Sequence, residues 1–198
     1  QKVFKRLYLL MEKINYTGPI DLNTIVDSEG NIYGLEWTPR LGYNAVFCLF
    51  ELLTIQISEF FVELAKGMTE MPLKNELAYG VNVVISPYPT DLQAIEEQKL
   101  KEYIRKSKHG LPVIWDEKDL KHIWPCDVEA SNEGPIVSGT DLIICVITET
   151  GKTIDEAETK VKEIFGRVFI PHKTARLRDG VERFKKQYPE LKKLKFII

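Results

Sequence analysis

The chain has 198 residues, enough for one large domain or two small ones with a substantial core. Hydrophobic residues make up 44% and charged residues 28%, as in a globular protein, and the net charge of −2 argues against general nucleic-acid binding, which needs a clearly basic face. Three cysteines without a C-x-x-C spacing, and no visible export signal, predict a reduced, cytoplasmic protein.

The first forty residues predict a helix followed by a β-hairpin. Apolar residues at three- and four-residue steps indicate an amphipathic helix over residues 2–14. Residues 20–26 and 32–37 have the alternation and composition of two strands. The polar cluster at 27–31 is typical of the turn between them.

Residues 44–66 predict a long buried helix or a helix pair, with Gly67 as its stop signal. This is the most apolar part of the chain, yet three acidic residues interrupt it and exclude a membrane span: Glu51, Glu59 and Glu63. Residues 69–75, which contain Pro72, are the expected boundary between a helical first part and a strand-rich second part.

Beyond that boundary the pattern predicts three strands and a polar segment. The strands are expected at 80–86, 111–115 and 141–148. The last is nearly all apolar, as a central strand would be. Residues 92–108 are polar and charged, and predict a helix or an exposed insertion.

Residues 153–165 predict a helix that opens with a capping box. In that motif the Thr153 hydroxyl accepts a hydrogen bond from an early backbone N–H, while Glu156 bonds back to the cap. Gly151-Lys152-Thr153 also matches the tail of a phosphate-binding P-loop, but Val146 stands where the first glycine is required. Capping is therefore the better explanation.

Three other features are expected to carry no chemistry. The histidines His109, His122 and His172 have no metal-ligand spacing, which predicts surface or loop positions. Cys126 has no base partner in the sequence and is expected to be an inert thiol. The lysine-rich end of the chain predicts a solvated final helix, because no set of stacking aromatic residues accompanies it.

The predicted hairpin carries the most suggestive chemistry. Side chains alternate faces along a strand, so Asp21 and Asn23 share one face, and Glu36 lies on the returning strand. The turn length permits Glu36 to lie opposite Asp21, Asn23 or Leu22. In the first two registers, hard oxygen atoms converge as Mg²⁺ requires. The alternative is an exposed charged hairpin.

A resemblance to a known family rests on motifs in this hairpin. Tyr16-x-Gly18 and Leu35-Glu36-Trp37-x-x-Arg40-x-Gly42, followed by a long helical segment, resemble the end of an ATP-grasp ligase domain. They are most similar to the phosphoribosylamine–glycine ligase family. The likeness continues in order through later segments: residues 83–89, 136–146, 153–165 and 175–180.

The resemblance implies an α+β fold, with the C-terminal half of an ATP-grasp domain at 1–73 and a strand-rich C-terminal domain at 74–198. It implies an ATP-dependent ligase in which ATP phosphorylates a carboxylate and an amine then displaces phosphate. The implied cofactors are ATP and Mg²⁺ or Mn²⁺. Glu36 would be a metal ligand with Asn23 beside it, Thr38 would join them in the nucleotide site, and Arg40 would be the catalytic residue that balances phosphate or substrate carboxylate.

The sequence also departs from the family pattern. Thr38 replaces an asparagine, and the loop Gly42-Tyr43-Asn44-Ala45 lacks two acids. The adenine pocket and the phosphate-binding lysines of the family precede the hairpin, so the chain is expected to be part of a longer ligase and inactive alone. Its expected partners are small-molecule substrates and the missing N-terminal part of the polypeptide, without nucleic acid or membrane. A ligase with a changed substrate pair and a non-catalytic binding module are the alternatives.

Overall fold

A computed structural model describes residues 2–43, 45–68, 70–86 and 97–195. Its internal contacts divide the chain into two compact units. The first unit comprises Gln1–Val46 with Leu53–Lys74, and the second comprises Phe47–Leu52 with Asn75–Ile198. Mixed helices and antiparallel sheets make up both, as the expected α+β class requires.

The first unit is built around the predicted hairpin. Asp27 shapes the turn, because its Oδ1 accepts hydrogen bonds from the backbone N–H groups of Glu29 at 2.9 Å and Asn31 at 2.8 Å. Gly30 supplies the left-handed conformation that closes the turn, with φ of 85°. The elements of this unit are α1 (Lys2–Lys13), β1 (Asp21–Val26), β2 (Ile32–Thr38) and α3 (Ile57–Ala65).

The hairpin contains a β-bulge that sequence inspection did not anticipate. Asn23 pairs with Glu36, whereas the next residue, Thr24, pairs with Gly34, so Leu35 is the extra residue on β2. The bulge shifts the register between the turn and the open end. Of the three registers that the sequence permitted, Glu36 takes the one opposite Asn23.

The apolar segment after the hairpin forms two helices, which was one of the two predicted alternatives; the other was a single long helix. The helix α2 (Ala45–Leu52) and α3 are separated by four residues, and Gly67 follows α3 in the left-handed conformation with φ of 88°. Asn44 and Thr69 lie outside the described residues. Within the part of the chain that the structure describes, no helix combines the length and apolarity needed to cross a bilayer.

The strands of the second unit are β3 (Leu77–Ile85), β4 (Ile123–Pro125), β5 (Val128–Ser131), β6 (Gly134–Val137), β7 (Cys145–Gly151) and β8 (Lys173–Thr174). Four of them form an antiparallel sheet in the order β4–β7–β3–β8. The predicted central position of the most apolar strand is confirmed, since β7 lies between β3 and β4 and is almost entirely buried. A separate hairpin pairs β5 with β6.

Helices complete this unit and close its core. The amphipathic α5 packs its buried face on β3 and β7, where Val83, Ile147 and Val161 are fully buried. The segment 47–52 of α2 approaches the same sheet closely, because a Cβ added to Gly80 would lie 2.8 Å from Cys48 Sγ. The helices are α4 (Glu97–Lys108), a 3₁₀ helix (Glu117–His122), α5 (Ile154–Arg167) and α6 (Asp179–Lys193).

Two predicted strands differ in the structure. Residues 111–115 form only single bridges, from Pro112 to Ile136 and from Ile114 to Phe169, and Pro112 has no N–H to extend a ladder. The strand predicted at 141–148 begins at Cys145, because Asp141 Oδ1 accepts hydrogen bonds from the next two backbone N–H groups and holds a turn instead.

The predicted insertion at 92–108 is helical over its described part, which is α4. Residues 87–96, including Pro87-Tyr88-Pro89, lie outside the described residues.

The cap of α5 is close to the predicted capping box but differs in one bond. Thr153 Oγ1 accepts from the Glu156 backbone N–H at 3.2 Å, as predicted. The Glu156 carboxylate accepts instead from the backbone N–H of Lys152 at 3.0 Å, one residue before the cap. Both hydrogen bonds still satisfy backbone donors at the helix start, so the N-terminus of α5 is capped although one donor residue differs from the prediction.

Candidate functional site

The hairpin of the first unit gathers four polar side chains on one face. Asn23 lies opposite Glu36, and Asn23 Nδ2 donates a hydrogen bond of 2.9 Å to Glu36 Oε1. One step further along the strands, Asp21 lies opposite Thr38. Because residues two apart on a strand point to the same side, both pairs occupy the same face. The predicted site residues Asn23, Glu36 and Thr38 are therefore brought together, with Asp21 beside them.

The four side chains differ in exposure. Glu36 is exposed, whereas Asp21, Asn23 and Thr38 are half-buried. The hydroxyl oxygen of Thr38 is buried and has no hydrogen-bond partner among the described residues. A buried hydroxyl with unused bonding capacity, next to a carboxylate and an amide, is a polar environment rather than a packed apolar face.

This donor set fits a hard divalent cation. Carboxylate, amide and hydroxyl oxygens are the groups that Mg²⁺ and Mn²⁺ accept as ligands. Asn23 currently presents its NH₂ group to Glu36, so it would have to turn its amide to offer Oδ1 to a cation. Asn23, Glu36 and Thr38, with Asp21 beside them, are thus chemically suited to the metal that the resemblance implied.

Arg40 lies just beyond β2 and is exposed. Its backbone N–H donates to the Thr38 carbonyl at 2.8 Å, and its Nη1 donates to the Leu41 carbonyl at 3.2 Å. Within the described residues the guanidinium forms no ion pair. It follows the hairpin directly but does not contact Glu36 in this conformation.

A second polar cluster, which no sequence motif predicted, lies within the second unit. His122, predicted to be a surface or loop residue, is only 14% exposed and lies between two glutamates. Its Nδ1 is 2.8 Å from Glu51 Oε1, and its Nε2 is 3.1 Å from Glu149 Oε1. The prediction for His122 is therefore wrong. These residues come from α2, the 3₁₀ helix and β7, so no local spacing in the sequence could reveal them.

The other residues expected to be inert agree with that expectation. His109 is half-exposed, 3.9 Å from Glu129, and His172 lies in a turn with φ of 58°. Burial, followed by the nearby carboxylates of Asp141 and Asp127, raises the pKa of the Cys126 thiol. A raised pKa disfavours the thiolate, so Cys126 lacks the character of a nucleophile.

Two comparisons by sequence found no match for this chain. No protein-family model matches it. No curated protein matches it either.

Comparison with solved structures shows that the chain has the fold of part of an ATP-grasp ligase. It is similar to phosphoribosylamine–glycine ligase from Thermotoga maritima, with a TM-score of 0.58 and 22% identity over 79% of this chain and 35% of that one. It is also similar to biotin carboxylase from Campylobacter jejuni, solved as a complex with beta-gamma-ATP, with a TM-score of 0.55 and 16% identity over 83% of this chain and 34% of that one.

A third similar structure contains nucleotide and magnesium. The biotin carboxylase domain of Hydrogenobacter thermophilus 2-oxoglutarate carboxylase, in complex with MgADP and bicarbonate, matches with a TM-score of 0.52 and 14% identity over 84% of this chain and 35% of that one. The chain thus spans about a third of the length of the solved structures it matches.

Proposed function

We propose that this chain is part of an ATP-dependent carboxylate–amine ligase of the phosphoribosylamine–glycine ligase type, acting in purine biosynthesis through an acyl phosphate. One observation carries the proposal: the hairpin register pairs Asn23 with Glu36 on a face that also holds Thr38. The shared fold supports it, because the similar structures are ATP-grasp ligases.

In this proposal Glu36 and Asn23 hold Mg²⁺ or Mn²⁺, and Thr38 lines the nucleotide site. The metal, when bound with ATP, neutralises the charge of the phosphates during transfer. Arg40 binds an anion, either phosphate or a substrate carboxylate, through its forked N–H donors. Its guanidinium is exposed, and among the described residues it donates only to the Leu41 carbonyl, so it is available for that role.

The proposal places the active enzyme in a longer polypeptide, to which residues 1–73 contribute part of the ATP-grasp domain and 74–198 the C-terminal domain. The similar structures are about three times longer than the stretch this chain covers, which supports that reading. The chain alone is expected to be inactive. Its other partners are then small-molecule substrates, without nucleic acid.

A ligase with another substrate pair is the second candidate. The loop at residues 42–45 lacks the acids of the resembling family, and Thr38 replaces its asparagine. The similar structures also include biotin carboxylases, so one scaffold is compatible with more than one acceptor.

The test uses the longer polypeptide that contains this chain. ADP release would be measured with Mg²⁺-ATP, first with glycine and phosphoribosylamine and then with other carboxylate–amine pairs. Glu36→Gln keeps an oxygen acceptor for Asn23 but removes the charge, and we expect turnover to fall by roughly 100-fold or more. Glu29→Gln, at an exposed carboxylate in the same hairpin, is the matched control and should leave turnover unchanged.

Each result has a distinct meaning. Turnover with the glycine pair that Glu36→Gln abolishes supports the proposal in full. Turnover with another pair only, equally sensitive to Glu36→Gln, supports the second candidate. Absence of ATP turnover and of Mg²⁺-nucleotide binding contradicts both, and leaves a non-catalytic binding module on the same scaffold.

A further inference from the structure

The cluster of Glu51, His122 and Glu149 in the second unit has the composition of a metal site. One ligand atom from each of the three residues lies within 4.8 Å of the others. The side chains are 8%, 14% and 16% exposed, so the group is largely removed from solvent while keeping an edge that solvent reaches. A cluster this buried is more than a set of surface acids.

The ring of His122 lies between two carboxylates. Both ring nitrogens face a carboxylate oxygen, at 2.8 Å and 3.1 Å. A neutral imidazole carries a single N–H and can donate to only one of them. Both contacts are satisfied either by a doubly protonated ring, which donates to each carboxylate, or by a divalent cation bound to one ring nitrogen and its carboxylate neighbour.

The carboxylates are held in place by donors outside the cluster. Thr148 Oγ1 donates to Glu51 Oε2 at 2.8 Å and itself accepts from Trp124 Nε1 at 2.7 Å. The backbone N–H of Thr150 donates to Glu149 Oε2 at 3.0 Å. Such outer hydrogen bonds orient metal ligands and are typical of metal sites.

The distances suit a small divalent ion if the Glu51 side chain moves. Glu51 Oε1 lies 2.8 Å from His122 Nδ1, so an ion bound to Nε2 requires a Glu51 oxygen to move from within 4.8 Å to about 3.3 Å of the other two ligand atoms. Two ligands bound to Zn²⁺ at about 2.0–2.1 Å and a tetrahedral angle lie about 3.3 Å apart. The observed separation of 3.1 Å between His122 Nε2 and Glu149 Oε1 is close to that value. Two carboxylates and a neutral imidazole also carry a combined charge that one divalent cation balances.

We propose that Glu51, His122 and Glu149 bind one divalent transition-metal ion of the Zn²⁺ class, with water completing its coordination. This site is distinct from the Mg²⁺-nucleotide site proposed at Glu36 and requires no nucleotide. By joining residues from α2, the 3₁₀ helix and β7, the ion would fasten three elements of the second unit together.

The experiment is calorimetric titration of the purified, chelator-treated chain with Zn²⁺, without nucleotide. We expect saturation at one equivalent, and binding at least about tenfold weaker in each of Glu51→Gln, His122→Gln and Glu149→Gln. His109→Gln and Glu129→Gln are matched controls, because they alter an exposed His–Glu pair 3.9 Å apart. Glu36→Gln should also bind Zn²⁺ normally, which separates this site from the proposed active site.

Co²⁺ titration supplies a second readout. Coordination by nitrogen and oxygen gives visible bands without the intense near-ultraviolet absorption of cobalt–thiolate bonds, so binding by the three free cysteines would be recognised. Thermal unfolding of each metal-free variant verifies its fold, and the isosteric Glu149→Gln keeps the test decisive if His122→Gln does not fold. Three results would each overturn the proposal: no saturable binding, the appearance of thiolate bands, or an affinity in the glutamine variants equal to that of the wild type. The cluster would then be an ion-paired group that joins the three elements without a metal.

Discussion

Asp127 illustrates how one buried charge is accommodated in the second unit. It is fully buried, and its Oδ1 accepts hydrogen bonds from the Ser138 hydroxyl and from both the backbone N–H and the hydroxyl of Thr140. Burial favours the protonated form, but these hydrogen bonds outweigh it and hold the pKa of Asp127 below its ordinary value of 3.8. The carboxylate is therefore expected to stabilise the fold in its charged form.

The first prediction concerns the pH dependence of that contribution. A lowered native pKa means that the stabilisation is present above pH 3.8 and is lost as the pH falls through the native value. Asp127→Asn should lower the free energy of unfolding by about 2 kcal/mol at neutral pH, the loss typical of a hydrogen-bonded charge. The difference from wild type should shrink in acid, as thermal melts over a pH series would record.

Glu133→Gln is the control, since Glu133 is exposed in the β5–β6 turn and should change little at any pH. A difference between wild type and Asp127→Asn that stays constant into acid would contradict the role assigned to the charge.

The two candidate sites differ in how much of each could be predicted from the sequence. Asn23 and Glu36 are 13 residues apart on one hairpin, so alternation alone limited Glu36 to a few partners. The bulge at Leu35, which chose among them, leaves no signature in the sequence. His122 and Glu51 are 71 residues apart, and only the packing of the folded chain brings them to 2.8 Å.

Among the elements, the β7–α5 connection depends on the absence of a side chain at Gly151. A Cβ added there would lie 2.7 Å from the backbone nitrogen of Ala157 and 2.9 Å from the Thr153 carbonyl oxygen. Both are backbone atoms of the capped helix start, so they cannot rotate away. Gly166, near the other end of α5, has no atom within 4 Å of the same hypothetical position.

The second prediction compares these two glycines. Gly151→Ala should destabilise the protein by about 2–3 kcal/mol, because overpacking against backbone forces the turn to shift. Gly166→Ala should stabilise it by about 0.5–1 kcal/mol, because alanine loses less conformational entropy in a helix. Chemical denaturation of both variants measures the difference. Equal effects of the two substitutions would contradict this description of the turn.

Elements governed by local chemistry were the ones the sequence could foresee. The periodicity of α1, the cap of α5 and the turn at Asp27 each depend on neighbours within a few residues. The strand predicted at 141–148 begins later than expected because Asp141 holds a turn, which is also a local effect. The apolar residues that follow Asp141 made this turn difficult to predict. The strand prediction for residues 111–115 was wrong because an apolar composition does not show whether a neighbouring strand is available for pairing.

For the whole molecule, the first unit leaves unusually many apolar side chains in solvent. Ile32 is 56% exposed and Leu35 is 61% exposed, and residues of α1 such as Leu9 are exposed to a similar degree. The second unit has the opposite character, with a closed core. Exposed apolar side chains of this size, when they group together on a globular protein, usually mark an interface. In the proposed longer ligase, the remainder of the ATP-grasp domain would cover the hairpin.

The last prediction tests whether the rest of the ATP-grasp domain covers the hairpin. It uses the double variant Ile32→Thr and Leu35→Thr, since threonine keeps strand propensity but reduces apolar area. In the longer polypeptide the pair should lower the free energy of unfolding by about 3 kcal/mol, from the loss of two buried apolar side chains. In the 198-residue chain the same pair should cost little stability and should reduce self-association in analytical ultracentrifugation. A matched change at an exposed residue of the second unit, Ile114→Thr, should not depend on chain length. If the hairpin pair were equally neutral in both polypeptides, these two side chains would remain exposed in the longer protein and would have to serve a different partner.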